Sequence, residues 1–175
     1  TYSTSSDGWS VVLTDKTSTD PVTTELCGTI NDKPIVSMDR MFYESKAESI
    51  DVSSFDTSNV TNMSRMFESS AAISLDLSGF DTSNVTNMYG MFQDSKVTSL
   101  DLSSFDTSNV KNMGAMFSVS TITTLDLSSF NTSNVISMRD MFQRSKATEI
   151  KGLNKFDTSK VTNMWRMFSN SAATS

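Results

Sequence analysis

The chain has 175 residues, 14 basic against 20 acidic, a net charge of -6, no histidine and a single cysteine, Cys27. That length suits one domain with a sizeable core or one repeat array, and nothing in it asks for two domains. The missing histidine removes the commonest general base and metal ligand, a lone cysteine builds neither a disulfide nor a thiolate zinc site, and no basic run tracks a phosphate backbone. The expectation is a chain with no cofactor, no metal and no nucleic-acid partner, and not an enzyme, because no nucleophile, base and orienting group converge.

No apolar run approaches the ~18 residues that a membrane helix needs, and no charged-then-apolar leader opens the chain. A soluble chain with no membrane span is expected. Its abundant serine and threonine fit an extracellular or cell-surface location.

Residues 1–29 match nothing else in the sequence. They hold Trp9, an alternating Val11 to Leu13 and a Pro21-Val22 pair, and read as a capping strand or hairpin over whatever follows. Cys27 is expected to be a small buried residue of this cap.

From residue 30 onward self-similarity dominates. Phe55-Asp-Thr-Ser-Asn-Val-Thr-Asn-Met63 recurs from Phe80, Phe105, Phe130 and Phe156, at spacings of 25, 25, 25 and 26. Ile35, Met38, Met41 and Phe42 form a degenerate earlier copy, in register with Val60, Met63, Met66 and Phe67. About six repeats result: 30–54, 55–79, 80–104, 105–129, 130–155 and 156–175.

Within one repeat, Leu75-Asp-Leu77 alternates with period two and predicts a short strand with one buried face. Asp81-Thr-Ser-Asn84 favours a turn, because short polar side chains bond their own backbone. Val85, Met88, Met91 and Phe92 are spaced 3, 3 and 1, which predicts a short helix or 3₁₀ turn around Met91-Phe92, with Val-Thr-Asn as an alternative second strand. One repeat cannot bury these six apolar side chains, with Ile73 and Phe80 beside them, alone. Stacking at about 4.8 Å, the strand spacing, lines them into ladders, and the twelve methionines become core. The fold class expected is an α/β repeat, a solenoid with a short parallel strand and a short helix or 3₁₀ turn per 25-residue coil.

The unit S-x-x-T-x-L-D-L-S-x-F-D-T-S-N-V-T-N-M-x-x-M-F closely resembles the BspA-type leucine-rich repeat of bacterial and protist surface proteins, over residues 30–175. The resemblance implies a right-handed leucine-rich-repeat solenoid, surface display and adhesion to host or neighbouring-cell molecules, with no catalytic residue to carry over. Related repeats often have cysteine where this chain has Ser45, Ser70, Ser95, Ser120, Ser145 and Ser171.

Copies of the repeat can be compared with one another. Outward strand residues such as Ser74, Asp76 and Ser78 barely vary. The pair between the two methionines changes every time, from Asp39-Arg40 to Trp165-Arg166, and so does the pair after Met-Phe, from Tyr43-Glu44 to Ser169-Asn170. Both lie in one arc, so stacking sets them on one stripe. Its candidate contact residues are Arg40, Tyr43, Arg65, Tyr89, Arg139, Arg144, Trp165 and Arg166, the residue types that anchor interfaces. The competing reading is a solvated face free to drift.

Two further constellations stand out. Asp51, Asp76, Asp101 and Asp126 form one acidic column, and Asp56, Asp81, Asp106 and Asp157 another, interrupted by Asn131, open to calcium or to backbone and hydroxyl hydrogen bonds from the following Thr-Ser-Asn turn. Thr57, Thr82, Thr107, Thr132 and Thr158 form a hydroxyl column that suggests ice binding only if it is paired, and its neighbour is broken by Lys111 and Ile136. Asn59-Val-Thr61 and Asn84-Val-Thr86 match the glycosylation pattern, a coincidence of the repeated turn.

An adhesin-like module binding a protein or glycan on another surface is the first reading. A structural spacer or display array is the alternative, and an ice-binding array a distant third. The sequence stops where the next Leu-x-Leu strand is due, so an open C-terminal coil able to self-associate is expected.

Overall fold

The computed structural model describes residues 1–5 and 7–174. Six strands are assigned among them: β1 Tyr2–Ser5, β2 Gly8–Val11, β3 Thr29–Ile30, β4 Lys33–Ser37, β5 Thr124–Asp126 and β6 Glu149–Lys151. The one helix among the described residues is a 3₁₀ turn, Leu153–Lys155. None is long and apolar enough to cross a membrane.

The N-terminal strands form one sheet in the order β1-β2-β4-β3. β1 and β2 are antiparallel, β2 runs parallel to β4, and β3 turns back into β4 through Asn31 and Asp32, at φ 49° and 60°. Two positive φ angles in a two-residue connection are what a type I′ hairpin requires, and asparagine and aspartate tolerate them. The Trp9 indole N–H donates to the Ile30 carbonyl at 2.7 Å, and the Tyr2 ring meets the indole edge-on.

After β2 the chain lies along the first repeat. Leu13 N–H donates to Met41 O, Val22 N–H to Ser49 O, and Asp56 N–H to Leu26 O. Leu26 turns inward against the core. Cys27, its neighbour in extended chain, therefore points the other way and is exposed, not buried as expected.

Repeats stack as rungs. Parallel bridges join Ser37 to Asn62, Asn62 to Asn87, Asn87 to Asn112, Asn112 to Ser137, and Ser137 to Asn163. The continuous ladder thus runs through Val-Thr-Asn, the alternative strand. The Leu-x-Leu segments pair as full strands only at β5 and β6, in the register Leu125 to Ile150. The one 26-residue step is taken up at Gly152, whose φ of 89° opens the 3₁₀ turn. A Cβ there would sit 2.7 Å from Leu127 and Ser128 backbone atoms, which explains a glycine at the insertion.

The expected helix is absent, and the α/β leucine-rich-repeat solenoid is corrected to a nearly all non-helical, curled stack of rungs. Around Met91-Phe92 three overlapping turns replace it: Met91 N–H to Met88 O, Gln93 N–H to Gly90 O, and Ser95 N–H to Phe92 O. The amides between them leave the rung. Gly90 N–H donates to Gly114 O at 2.8 Å, Phe92 to Met116 O at 3.1 Å and Asp94 to Ser118 O at 2.9 Å. A helix would keep those bonds inside its own segment. Gly90 and Asp94 take φ of 60° and 50°, as the third position of a type II turn demands, and this breaks any helical run.

The interior is ordered in columns. Met63, Met88, Met113 and Met138 are fully buried, as are Met66, Met91, Met116 and Met141 and the valines beside them. Phe42, Phe67, Phe92, Phe117, Phe142 and Phe168 form one stack with ring centroids 5.2 to 5.9 Å apart and interplanar angles of 1° to 15°. Each parallel pair contributes about 0.5–1.5 kcal/mol beyond its burial. On the last described rung Met164, Trp165 and Phe168 are exposed.

Polar columns bolt one rung to the next. Thr57, Thr82, Thr107 and Thr132 are 1 to 2% exposed. Each hydroxyl donates to a carbonyl on the following rung, Thr107 to Asn131 O at 3.0 Å, and the Asn131 amide donates back at 2.8 Å. This burial leaves those four with no exposed hydroxyl array, so the ice-binding alternative loses its surface. Asn84, Asn109 and Asn134 reach back to carbonyls of the rung before. The serines at the cysteine positions accept the amide two residues on, as Ser120 does from Ile122.

Candidate functional site

Every rung puts two non-extended residues on the variable stripe. The second member of the pair between the methionines has φ of 54° to 60° in all six copies: Arg40, Arg65, Gly90, Ala115, Asp140 and Arg166. Four residues on, Glu44, Ser69, Asp94, Val119, Arg144 and Asn170 have φ of 50° to 57°. Residue identity changes along each column while the backbone does not. The side chains therefore vary on a fixed frame.

At the N-terminal end the cap joins the stripe. Lys16 Nζ donates to Arg40 O at 2.8 Å and lies 5.6 Å from the Tyr43 ring centre. Burial there pulls its pKa below the usual lysine value. Arg40 pairs with Asp39 at 3.3 Å. The Tyr43 hydroxyl is held above its ordinary pKa by its hydrogen bond to the acidic Glu44.

In the middle the side chains interlock. Arg65 Cγ lies 3.3 Å from where a Cβ on Gly90 would stand, and Tyr89 Cδ2 3.0 Å from one on Gly114. The small residues thus make room for neighbours that lie across them. The Arg65 guanidinium sits 5.2 Å from the Tyr89 ring centre, and its Nε is 3.3 Å from Glu68 Oε2. Burial raises the Glu68 pKa, partly offset by Arg65. Ala115 and Ser118 are buried.

The C-terminal half is built around Asp140, which is 8% exposed. Its two carboxylate oxygens each accept a guanidinium Nε–H at 3.0 Å, one from Arg139 and one from Arg166. Both guanidiniums then lie over Trp165, at 4.6 Å and 3.8 Å from its ring centre, and the indole is 56% exposed. Each guanidinium reaches Asp140 through its Nε. Arg144 is exposed nearby and makes no ion pair among the described residues. Asp39, Glu44, Glu68 and Asp94 outweigh the arginines of the N-terminal half, while Asp140 is the one acid in the variable pairs of the last three rungs, against Arg139, Arg144 and Arg166.

All eight expected stripe residues lie in the two variable pairs, but they do not form one cluster: Arg139, Trp165 and Arg166 meet directly, Arg65 meets Tyr89, and Arg40 and Tyr43 are drawn to Lys16. Two contributors escaped sequence reasoning. Asp140 carries a signal, an acid in a column where three other rungs have arginine. Lys16 carries none, since it lies outside the repeat.

The aspartate columns are locally satisfied. Asp51 Oδ1 accepts Ser53 N–H at 2.9 Å and the Ser53 hydroxyl at 2.6 Å, and Asp56, Asp76 and Asp81 do the same with the serine two residues on. The serine hydroxyl, then its amide, holds Asp76 and Asp101 below the ordinary carboxylate range, against a weaker repulsion from the aspartate one rung before. No group of three or more acidic or sulfur side chains among the described residues is arranged to hold a metal.

The arrangement presents flat aromatic faces, guanidinium forks and short polar side chains on a rigid frame. It can grip carboxylates, sulfates and sugar faces. No curated protein and no solved structure matches this chain. The model of a family described as "Mycoplasma protein of unknown function, DUF285" matches residues 17–123 and 95–175, and the protein belongs to that family of repeat proteins.

Proposed function

We propose that the protein is a non-enzymatic, adhesin-like binding module at the cell surface, contacting a protein or glycan of another surface through its variable stripe. The observation that carries this reading is the Asp140 clamp, which fixes Arg139 and Arg166 against an exposed Trp165. Clamped side chains lose little rotamer freedom on binding, and tryptophan and arginine supply most of the energy at many interfaces. The basic C-terminal half favours ligands bearing carboxylate or sulfate groups. The likeness of the repeat unit to BspA-type surface proteins supports the cell-surface part of the reading.

A spacer or display array is the second reading, favoured by the regular bolting of one rung to the next. Trp165→Ser combined with Tyr89→Ser separates the two. The binding reading expects attachment to cells or glycan arrays to fall at least tenfold with the melting temperature unchanged. Undiminished attachment by a folded double variant supports the spacer.

A further inference from the structure

The phenylalanine stack has an unfilled end. Between the capping segment and the first rung lies a half-enclosed cavity of about 170 Å³, lined by Val11, Leu13, Val22, Leu26, Met41 and Phe42. Phe55 borders it as well, its ring 6.1 Å from that of Phe42 and inclined 25° to it. From Phe42 onward each phenylalanine in the column meets another on the next rung. Of the cap residues that line the cavity, Tyr2 alone carries a ring, and that ring meets Trp9 edge-on. The cap also follows the first rung with a longer offset, Leu13 to Met41 and Val22 to Ser49, than the 25 residues between true repeats. Smaller side chains spread over a longer path leave the space that a seventh ring would occupy.

We propose that this cavity is a binding site for a small neutral molecule carrying a single aromatic ring, stacked on Phe42 as the next member of the column. An enclosed apolar cavity of about 150 Å³ takes up benzene-sized molecules, and this half-enclosed one has a similar volume. A flat ring matches the slot better than a puckered one, because the column repeats at 5.2 to 5.9 Å with nearly parallel planes. Thr14 and Thr24 add hydroxyls to a mainly apolar lining. The stripe plays no part, so this site and the adhesive reading stand or fall separately.

Toluene and methylcyclohexane, similar in size and different in flatness, are the probes. Methyl resonances of Leu13, Val22, Leu26 and Met41 are followed during titration of each into the full chain. Toluene is expected to shift them saturably and to raise the melting temperature, with methylcyclohexane at least fivefold weaker. Val22→Phe, which fills the slot, is expected to abolish the toluene response while the chain stays folded. Unmoved methyl resonances with toluene, equal responses to the two probes, or full binding by a folded Val22→Phe variant each overturn the proposal. If that variant does not fold, the two titrations of the unaltered chain decide.

Discussion

Val119 holds φ at 57° although it branches at Cβ, a conformation that costs an L-residue about 1–2 kcal/mol. It stays there because its amide donates to Gln143 O at 2.8 Å and the turn around it is bonded to both neighbouring rungs. The side chain is 38% exposed, so little burial is lost on truncation. Val119→Gly is expected to raise stability by about 0.5–1 kcal/mol in denaturant unfolding, relief of strain outweighing the extra backbone entropy. Gly152→Ala is expected to cost more than about 2 kcal/mol, since its Cβ meets backbone that cannot move aside. Residue type alone could not have revealed these conformations: the six copies of the Val119 position include glutamate, serine, aspartate and arginine. What fixes the positive φ is the pull of amides toward the adjacent rung, a tertiary cause. The hydrogen-bonded aspartates are a different case, legible from Asp-x-Ser spacing. Asp51, Asp56, Asp76, Asp101, Asp106, Asp126 and Asp157 are all held below the ordinary value of 3.8 by the serine two residues on. A lowered folded-state value stabilises the fold at higher pH, and that contribution is lost as pH falls through it. Melting temperature is expected to drop below about pH 4, and less steeply in a Ser53→Ala, Ser78→Ala, Ser103→Ala variant. An equally steep drop in both contradicts the assignment.

At the scale of the single rung, the buried threonines decide how firmly neighbours hold. Thr107 both donates to Asn131 O and accepts from Asn131 N–H while 1% exposed. Thr107→Val keeps the volume and strands both backbone groups, an expected loss of about 2–4 kcal/mol. Thr107→Ser retains the hydroxyl and is expected to cost less than half as much. Equal losses in the two variants would show that the methyl, not the bond, matters. The apolar columns were readable from sequence because period and residue type coincide at every copy. The helix expected at Met91-Phe92 was not there because overlapping four-residue turns use the same 3, 3, 1 spacing as a helical face. Periodicity reports which side chains share a side, and two local backbones satisfy it here. Gly90 was the one local hint, and arginine, alanine and aspartate in its column concealed it.

Over the whole molecule, the stack converts six short apolar segments into one continuous core, and it does so with rung-to-rung hydrogen bonds in place of helices or long strands. That economy leaves the stripe free to vary, since its side chains are mounted on a backbone already fixed from both sides. The general position of the stripe was legible from comparing repeats. Its internal pairing was not, because Asp140 binds arginines on two rungs and Lys16 arrives from outside the repeat. Arg139→Ala is accordingly expected to reduce attachment together with Trp165→Ser less than additively, as contacts in one cluster do. The direct test of the account is the detection by NMR of couplings transmitted across hydrogen bonds. Amides of Arg65, Phe67 and Ser69 should couple to the carbonyls of Tyr89, Met91 and Gln93, and those of Gly90, Phe92 and Asp94 to Gly114, Met116 and Ser118. Couplings from these amides to carbonyls four residues earlier in their own rung, or none between rungs, would contradict the stacked architecture on which every other statement depends.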